Sequence, residues 1–396
     1  MILIMGGGLS GSLLAYRINQ LCPNIELYLV ESQPHLSTEP TWSFHETDLA
    51  TESLDWIKPF ISQSWNQQEV YFDSQSKILQ TGYHSIRSHE FASTITTKLQ
   101  KHLILGDPVT SITPSGEVIL ASGRRFNPRT IFDARGLNLT QPLSCGYQRF
   151  LGLDVELSHP HGLTHPIIMD TRCAQDEGFK FIYTLPWTEN SLLIEATCYA
   201  NEAHFDEVRY QQEVELYCYQ NHWKIKKTLR TEKASLPIPL QPQNSLITRK
   251  ENSENIIQIG LSGGYFHFTT GYSLPLAVQV SEVIAHEIAT QPNWSTQSIQ
   301  NALTPLLKLT SHQSRFFSAL NRMLFLACPP EQRVNIFRRF YTFKQDLIER
   351  FYRGELSASD QIRILLGKPP VPLISGLKHA LHSNTTHCSW EKGPPA

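Results

Sequence analysis

The sequence predicts an α/β protein: a Rossmann-type dinucleotide-binding domain interrupted by a mostly antiparallel domain and followed by a helical region. Three observations predict it. The chain opens as strand, glycine turn, amphipathic helix and second strand. From about residue 146 to 240 its character changes to longer strands. At 256–264 it returns to a short buried strand and a second glycine-rich turn, and from there to about 381 the pattern is helical.

The opening unit is the most informative. Residues 2–5 (ILIM) form a short apolar strand, and Leu9, Leu13, Leu14, Ile18 and Leu21 recur at helical spacing. Pro23-Asn24 ends the helix, and 25–30 is a second strand running into Glu31. Between strand and helix, Gly6, Gly8 and Gly11 complete a G-x-G-x-x-G pattern. Gly6 allows the tight turn, Gly8 lets the backbone approach a pyrophosphate, and Gly11 lets helix and strand pack closely. The phosphates would then lie over the helix N-terminus, where free N–H groups favour anions. Glu31 follows Gly11 by twenty residues at a strand end, where a carboxylate can accept hydrogen bonds from ribose hydroxyls.

The middle of the chain is less regular. Residues 32–80 read as irregular and aromatic-rich, a helix is expected over 88–101, and short strands lead to 129–133. The inserted domain carries strands at 150–157, 179–185 and 191–199 and a helix near 205–220. A nicotinamide dehydrogenase would continue as regular alternating strands and helices; departure to an antiparallel region followed by return suits a flavin enzyme, and FAD is the expected dinucleotide. The two returning segments, Asp133-Ala134-Arg135-Gly136 and Gly260-Leu261-Ser262-Gly263-Gly264, each place glycine after a strand, which suits backbone approach to the cofactor. Asp133, Gly136, Gly260 and Gly263 are therefore cofactor-binding candidates, although such glycines can equally just turn the chain. The expected layout is an FAD-binding domain at 1–145, an antiparallel substrate domain at 146–240 and a returning FAD-binding part at 250–295. A helical C-terminal region at 296–381 and a disordered tail at 382–396 complete it.

Composition narrows the function. A net charge of −2 gives no global attraction to nucleic acid. The seven scattered cysteines form no C-x-x-C pair, which implies neither a zinc site nor a disulfide framework, and reduced thiols in the cytoplasm are expected. No metal-ligand spacing is seen. No signal peptide is expected before the first strand, and no stretch reaches the ~18 consecutive apolar residues needed to span a bilayer.

Several stretches carry a likeness to a known family. They are 41–45 (TWSFH), 158–163 (SHPHGL), 166–170 (PIIMD), 192–195 (LLIE), 269–278 (TTGYSLPLAV), 320–327 (LNRMLFLA) and 367–372 (GKPPVP). On these the chain closely resembles the bacterial-type lycopene cyclases of carotenoid biosynthesis, over nearly its whole length. The resemblance implies a non-redox reaction that closes β-ionone rings at the ends of linear lycopene. It further implies FAD in reduced form with NAD(P)H as electron source, lycopene and related linear carotenoids as substrates, and Glu195 as the essential glutamate. Two positions depart from the family pattern. Phe268 stands where proline is usual, which should alter a turn near the flavin. Ala196 stands where a second acidic residue is common, which removes one carboxylate from the region implied to be catalytic.

Ring closure of this kind needs a strong acid, a stabilised carbocation and a weak base. A long hydrocarbon substrate requires an apolar tunnel, and a carboxyl buried in one keeps its proton at neutral pH. Glu195 follows Leu192-Leu193-Ile194 on a strand of the inserted domain and fits that role; a solvent-facing strand carboxylate would read the same. Asp133 could orient the flavin or cap its turn, and Asp170 could face the tunnel or close a hairpin. His161 and His267 read as structural. The scaffold also admits a redox flavoenzyme, such as an isoprenoid reductase or an FAD-dependent hydroxylase, and a carotenoid carrier that holds flavin structurally.

Residues 315–353 hold eight Lys/Arg against three Asp/Glu, interleaved with nine Phe/Tyr. This segment is expected to form a basic, aromatic surface that rests on anionic lipid and admits the membrane-dissolved polyene, giving a cytoplasmic protein peripherally associated with the membrane. Oligomeric state is not legible in the sequence.

Overall fold

The computed structural model describes residues 1–37, 39–136, 144–243 and 255–366. The 367–372 motif, residues 367–381 of the expected helical region and the tail at 382–396 lie outside them.

The first lobe is built on a five-stranded parallel sheet in the order Ile256–Gln258, Thr130–Asp133, Ile2–Met5, Leu27–Glu31, Leu103–Leu105. Its central strand is buried at all four residues, as a parallel strand covered on both faces must be. On one face the helix Leu9–Leu21 packs against the helix Leu274–Thr290, and Arg17 clamps Glu282 across that interface with two bonds of 2.8 and 3.0 Å. The other face is covered by the small antiparallel sheet of Val109–Ile112, Val118–Leu120 and Arg125–Phe126. The strand that brings the chain back at 256 thus joins the sheet edge beside Thr130–Asp133. Two segments distant in sequence become neighbours of the first glycine turn.

The second lobe is a seven-stranded sheet in the order Ile225–Pro239, Cys145–Leu157, Ser191–Ala200, Phe179–Thr188, Ile167–Asp170, Gln68–Phe72, Gln75–Leu79. Its pairs are antiparallel, except for the parallel pair Ile167–Asp170 with Gln68–Phe72. The segment 32–80, read as irregular, carries four strands. Two of them, the hairpin at 68–79, extend this sheet, and Thr41–His45 and Gln63–Trp65 flank Tyr83–Arg87 in a separate three-stranded sheet. Their mixed polar and aromatic residues hide the strand pattern in the sequence, yet Trp65, Val70, Phe72 and Leu79 join the core of the second lobe.

Alternation along the long strands assigns their two faces. Leu151, Leu153, Val155, Ile194, Ala196 and Cys198 point to a core roofed by the helix Glu207–Gln220, where Tyr210, Val214 and Tyr217 are buried. Leu193 and Tyr199 point to the opposite face, which is closed in part by Leu324, Phe325, Tyr341 and Ile348 of the C-terminal region. Arg333 is wholly buried there and donates to the carbonyls of Leu324, Phe325 and Tyr199 and to the Asn201 amide oxygen, which binds the C-terminal helices to the sheet.

The aromatic side chains of the basic, aromatic segment do not form the surface expected of them, although Arg315 and Lys344 are exposed. None of its nine Phe/Tyr is exposed: Phe317, Phe325, Tyr341 and Phe351 are buried and the others half-buried. Phe337 stacks on Phe179 at 3.7 Å, and Phe340 packs on Phe351 at 4.6 Å. Arg333 is spent internally, and Arg350 is tied to Asp346 and Asp360. Burial of aromatic area dominates, and these helices serve chiefly as the wall of the second lobe.

Candidate active site

At the carboxyl ends of the parallel strands, three turns converge. Gly6 has φ +101°, and a Cβ there would come within 2.8 Å of the Ala134 carbonyl; at Gly11 it would meet the Gly6 carbonyl at 2.0 Å. Both positions are closed to larger residues by the chain itself. Gly8 differs, with an ordinary φ of −70° and open space where a Cβ would project. It is the N-cap of the helix Leu9–Leu21 and has no side chain to satisfy the first N–H groups. Glycine here leaves a bare helix N-terminus with room above it, a cradle for a pyrophosphate.

Glu31 lies against this turn. One carboxylate oxygen accepts from the Gly7 N–H at 2.7 Å, and the other from the Gln33 N–H and the Ser32 hydroxyl, each at 2.9 Å. The returning segments complete the rim. Asp133 clamps the Arg135 guanidinium at 2.9 and 2.8 Å, Gly136 takes φ +80° with open space beside it, and Gly260 lies against Ser10 at the helix start. Gly263 backs onto the Gln258 carbonyl, and the Ser262 hydroxyl donates to the Asp133 carbonyl at 3.1 Å. All eight cofactor candidates therefore sit in one neighbourhood, and their spacing and exposed N–H groups fit a dinucleotide.

Glu195 belongs to the second lobe. In register across four strands lie Tyr183, Glu195, Gly152 and Glu232, all on one face. A Cβ at Gly152 would come 3.1 Å from Cγ of Glu232 and 3.3 Å from Cβ of Glu195, so its absence lets the two carboxyls meet. Thr197 donates to Glu195 at 2.5 Å. Glu232 is buried, receives the Thr41 hydroxyl at 2.8 Å and pairs with Arg230 at 2.8 Å; Arg230 also faces Asp154 at 3.7 Å. Desolvation and the adjacent Glu232 charge push the half-buried Glu195 carboxyl up to about 8. Burial raises Glu232 too, against the downward pull of Arg230 and Thr41.

The same face carries a chain of hydroxyls. Tyr183 donates to Ser43 at 2.9 Å and meets Tyr83 at 3.0 Å, and Tyr83 meets Tyr272 at 3.3 Å. Burial holds the Tyr83 and Tyr183 phenols far above their ordinary range and pushes Tyr272 up to about 12, so all three are neutral. Tyr272 follows Gly271, where a Cβ would lie 3.6 Å from Leu236 and 3.8 Å from the Gln148 side-chain oxygen on the sheet face. The turn before the helix Leu274–Thr290 thus brings the first lobe to the carboxyl pair. Outside it, an apolar cleft between Phe266, Phe268, Leu276, Leu306, Leu309 and Phe317 has Tyr272 in its wall.

Both departures from the family pattern acquire a place. Ala196 is buried on the opposite face of the sheet, under the helix Glu207–Gln220, so a carboxylate there would not join Glu195. The second carboxyl at this site is Glu232, which sequence reasoning missed. Its strand reads Lys, Lys, Thr, Leu, Arg, Thr, Glu, Lys from 226 to 233, like a solvated edge. Only the two-residue spacing of Arg230 and Glu232, which puts them on one face, hinted otherwise. Phe268 stacks on Phe266 at 4.7 Å and joins Phe317 and Phe351 in an apolar cluster.

Asp170, left open between tunnel and hairpin, is buried and bound by Arg172 and by the Tyr217 hydroxyl at 2.9 Å, a structural set. His267 bonds the Phe351 carbonyl and accepts from the Thr269 and Thr270 N–H groups; burial lowers it to about 4. His161 bonds the Thr188 carbonyl and accepts from the Leu163 N–H. Among the described residues no group of three or more His, Cys, Asp or Glu could hold a metal ion.

Fold and site together define a two-lobed α/β protein with a Rossmann-type nucleotide-binding lobe and a carboxyl pair where its lobes meet. The fold is shared with a geranylgeranyl bacteriochlorophyll reductase-like protein of Thermoplasma acidophilum, at TM-score 0.64 and 13% identity, covering 96% of this chain and 98% of that one. It is shared also with PqsL, a probable FAD-dependent monooxygenase of Pseudomonas aeruginosa, at TM-score 0.59, 12% identity, and 86% and 99% coverage. In sequence, a family model described as lycopene cyclase protein matches residues 2–378. The chain is 36% identical to the lycopene beta-cyclase of Pantoea ananas over 386 residues, 98% of each chain. It is 37% identical to that of Pseudescherichia vulneris over 381 residues, 96% of this chain and 97% of the other. The chain belongs to the lycopene cyclase family.

Proposed function

We propose that this protein is a lycopene β-cyclase that closes β-ionone rings at the ends of lycopene, and that Glu195 is its acid. The observation that carries this reading is the match to this family over nearly the whole chain. A carboxyl that burial and Glu232 push up to about 8, on the sheet face that meets the nucleotide-binding lobe, supports it.

FAD would lie with its pyrophosphate over Gly8 and the N-terminus of the helix Leu9–Leu21, between Gly6 and Gly11. Glu31 would take the ribose, and Asp133, Gly136, Gly260 and Gly263 would line the approach to the ring. Bound and reduced, with NAD(P)H as electron source, it supplies an electron-rich, negatively charged neighbour for a developing cation. The chain's own residues do the rest. Glu195 delivers its proton to the terminal double bond, and the next internal double bond attacks the resulting carbocation. A ring proton then leaves to the carboxylate just formed, so acid and base are one group and no net electron is consumed. Tyr183, Tyr83 and Tyr272, neutral and mutually bonded, hold the wall beside Glu195 without competing for the proton.

A long polyene is dissolved in membrane, and we assign the protein to the cytoplasm, resting on an anionic bilayer. No described helix is long and apolar enough to cross one. Ile362, Leu365 and Leu366, on and just beyond the helix Ala358–Leu365, are exposed beside Arg363. They support docking there rather than through the inward-packed aromatics of 315–353.

Expression in a lycopene-accumulating bacterium, followed by pigment chromatography, tests the function. β-Carotene is expected. Unchanged lycopene would overturn it, and so would a reduced or hydroxylated product, which would place the protein among redox flavoenzymes.

A further inference from the structure

The buried carboxyl of Glu232, two strands from Glu195 across the strand Cys145–Leu157, has no part in the chemistry above, yet its surroundings are built around it. Glu232 shares a register row with Glu195, and only a glycine separates them. It is held by a guanidinium and a hydroxyl, both at 2.8 Å, whereas Glu195 receives a hydroxyl from Thr197. Two acids of one type thus stand in unequal environments: a guanidinium and a hydroxyl offset the burial of Glu232, whereas Glu195 has one hydroxyl and the neighbouring carboxyl.

We propose that Glu232 is a positioning residue for the acid: held ionised by Arg230 and Thr41, it faces Glu195 across Gly152 and keeps a single proton in the pair, carried on Glu195. This rests on the cyclase reading given above. Like charges at such a separation do not both ionise readily, so Glu195 retains its proton at neutral pH. When that proton moves to carbon, the C–H bond forms from the electron pair of the double bond, and the carboxyl pair is left with two negative charges facing one carbocation. The second negative charge stabilises the cation through a water-poor site and makes Glu195 a stronger base for the ring proton that returns. One proton leaves the pair and one comes back. Other charged or titratable groups facing it are Arg230 and Asp154 on the same sheet, Asp154 being itself met by Arg87 and His89, and the neutral phenols Tyr183 and Tyr272.

The test is a pH titration of Glu232→Gln and Gly152→Ala in the FAD-loaded protein. Removing the anion, and leaving Arg230 without its partner, makes Glu195 ionise more easily. The alkaline limb of ring formation should therefore move to lower pH by about one unit or more in Glu232→Gln. Gly152→Ala keeps both carboxyls but wedges them apart, and should move the limb in the same direction by less. A readout independent of turnover is the infrared carbonyl band of the protonated carboxyl in substrate-free protein. It should persist to alkaline pH in wild type, vanish in Glu195→Gln, and titrate away earlier in Glu232→Gln. A Glu232→Gln profile that is merely scaled down, with its midpoint and infrared titration unmoved, would overturn the proposal and leave Glu232 a structural residue. Failure of wild type to close rings, with the infrared shift intact, would refute the cyclase reading and leave the coupled pair standing.

Discussion

Replacing Glu195 with glutamine removes the acid and, by the same reasoning, should stabilise the protein at high pH. The carboxyl's ordinary value is 4.5 and burial beside Glu232 raises it to about 8. At pH 7 about nine in ten molecules then hold the proton, against about three in a thousand for an ordinary glutamate. The folded state keeps this proton to about pH 8, whereas the unfolded chain releases it near 4.5. Stability from this group is therefore full below the unfolded value and is lost as pH rises through the folded one. A shift of about 3.5 units at ~1.36 kcal/mol each sets a ceiling near 5 kcal/mol. Partial solvent access and sharing with Glu232 bring the expected gain to about 1–2 kcal/mol. For a chain of this length that is a rise in melting midpoint of roughly 1–3 °C. Glutamine keeps the size of the side chain and the acceptor for Thr197. The variant should melt with wild type at pH 5 and above it at pH 9, bind FAD and lycopene normally, and form almost no ring. Run in heavy water, wild type should place one solvent deuterium in each ring. Near-normal ring formation by Glu195→Gln would remove Glu195 as the acid, and an unchanged alkaline melting midpoint would remove the pressure on its carboxyl.

Two further outcomes follow from the fold. Gly8→Val projects a branched side chain into the open space above the helix N-terminus, so flavin should be lost from a folded protein; unchanged FAD affinity, measured by fluorescence titration, would refute the pyrophosphate cradle. Ile362→Glu combined with Leu365→Glu should weaken co-sedimentation with vesicles of anionic phospholipid, whereas equal sedimentation of variant and wild type would mean that the protein docks elsewhere or not at all.

The local signals were legible because their causes are local. A glycine with positive φ between a buried strand and a helix start, and a glycine pressed on the preceding turn, are demands that a dozen residues state by themselves. The antiparallel insertion and the return at 256 were readable for the same reason: strand pattern depends on near neighbours. Alternation also placed Glu195 on a strand, but alternation alone does not say which face is the core.

Tertiary structure decided the rest. Register set Glu232 opposite Gly152, next to Glu195, although the two acids are thirty-seven residues apart and nothing near Glu232 in sequence marks it as buried. The sheet turned Ala196 to the far side, where its lack of a carboxylate costs the site nothing. Packing drew the aromatics of 315–353 inward, against an expectation drawn from composition, because large apolar area is buried wherever a neighbouring surface accepts it. What a residue is near in the chain could be read from the sequence; what charge it faces across a strand, and whether water reaches it, exists only once the strands are paired.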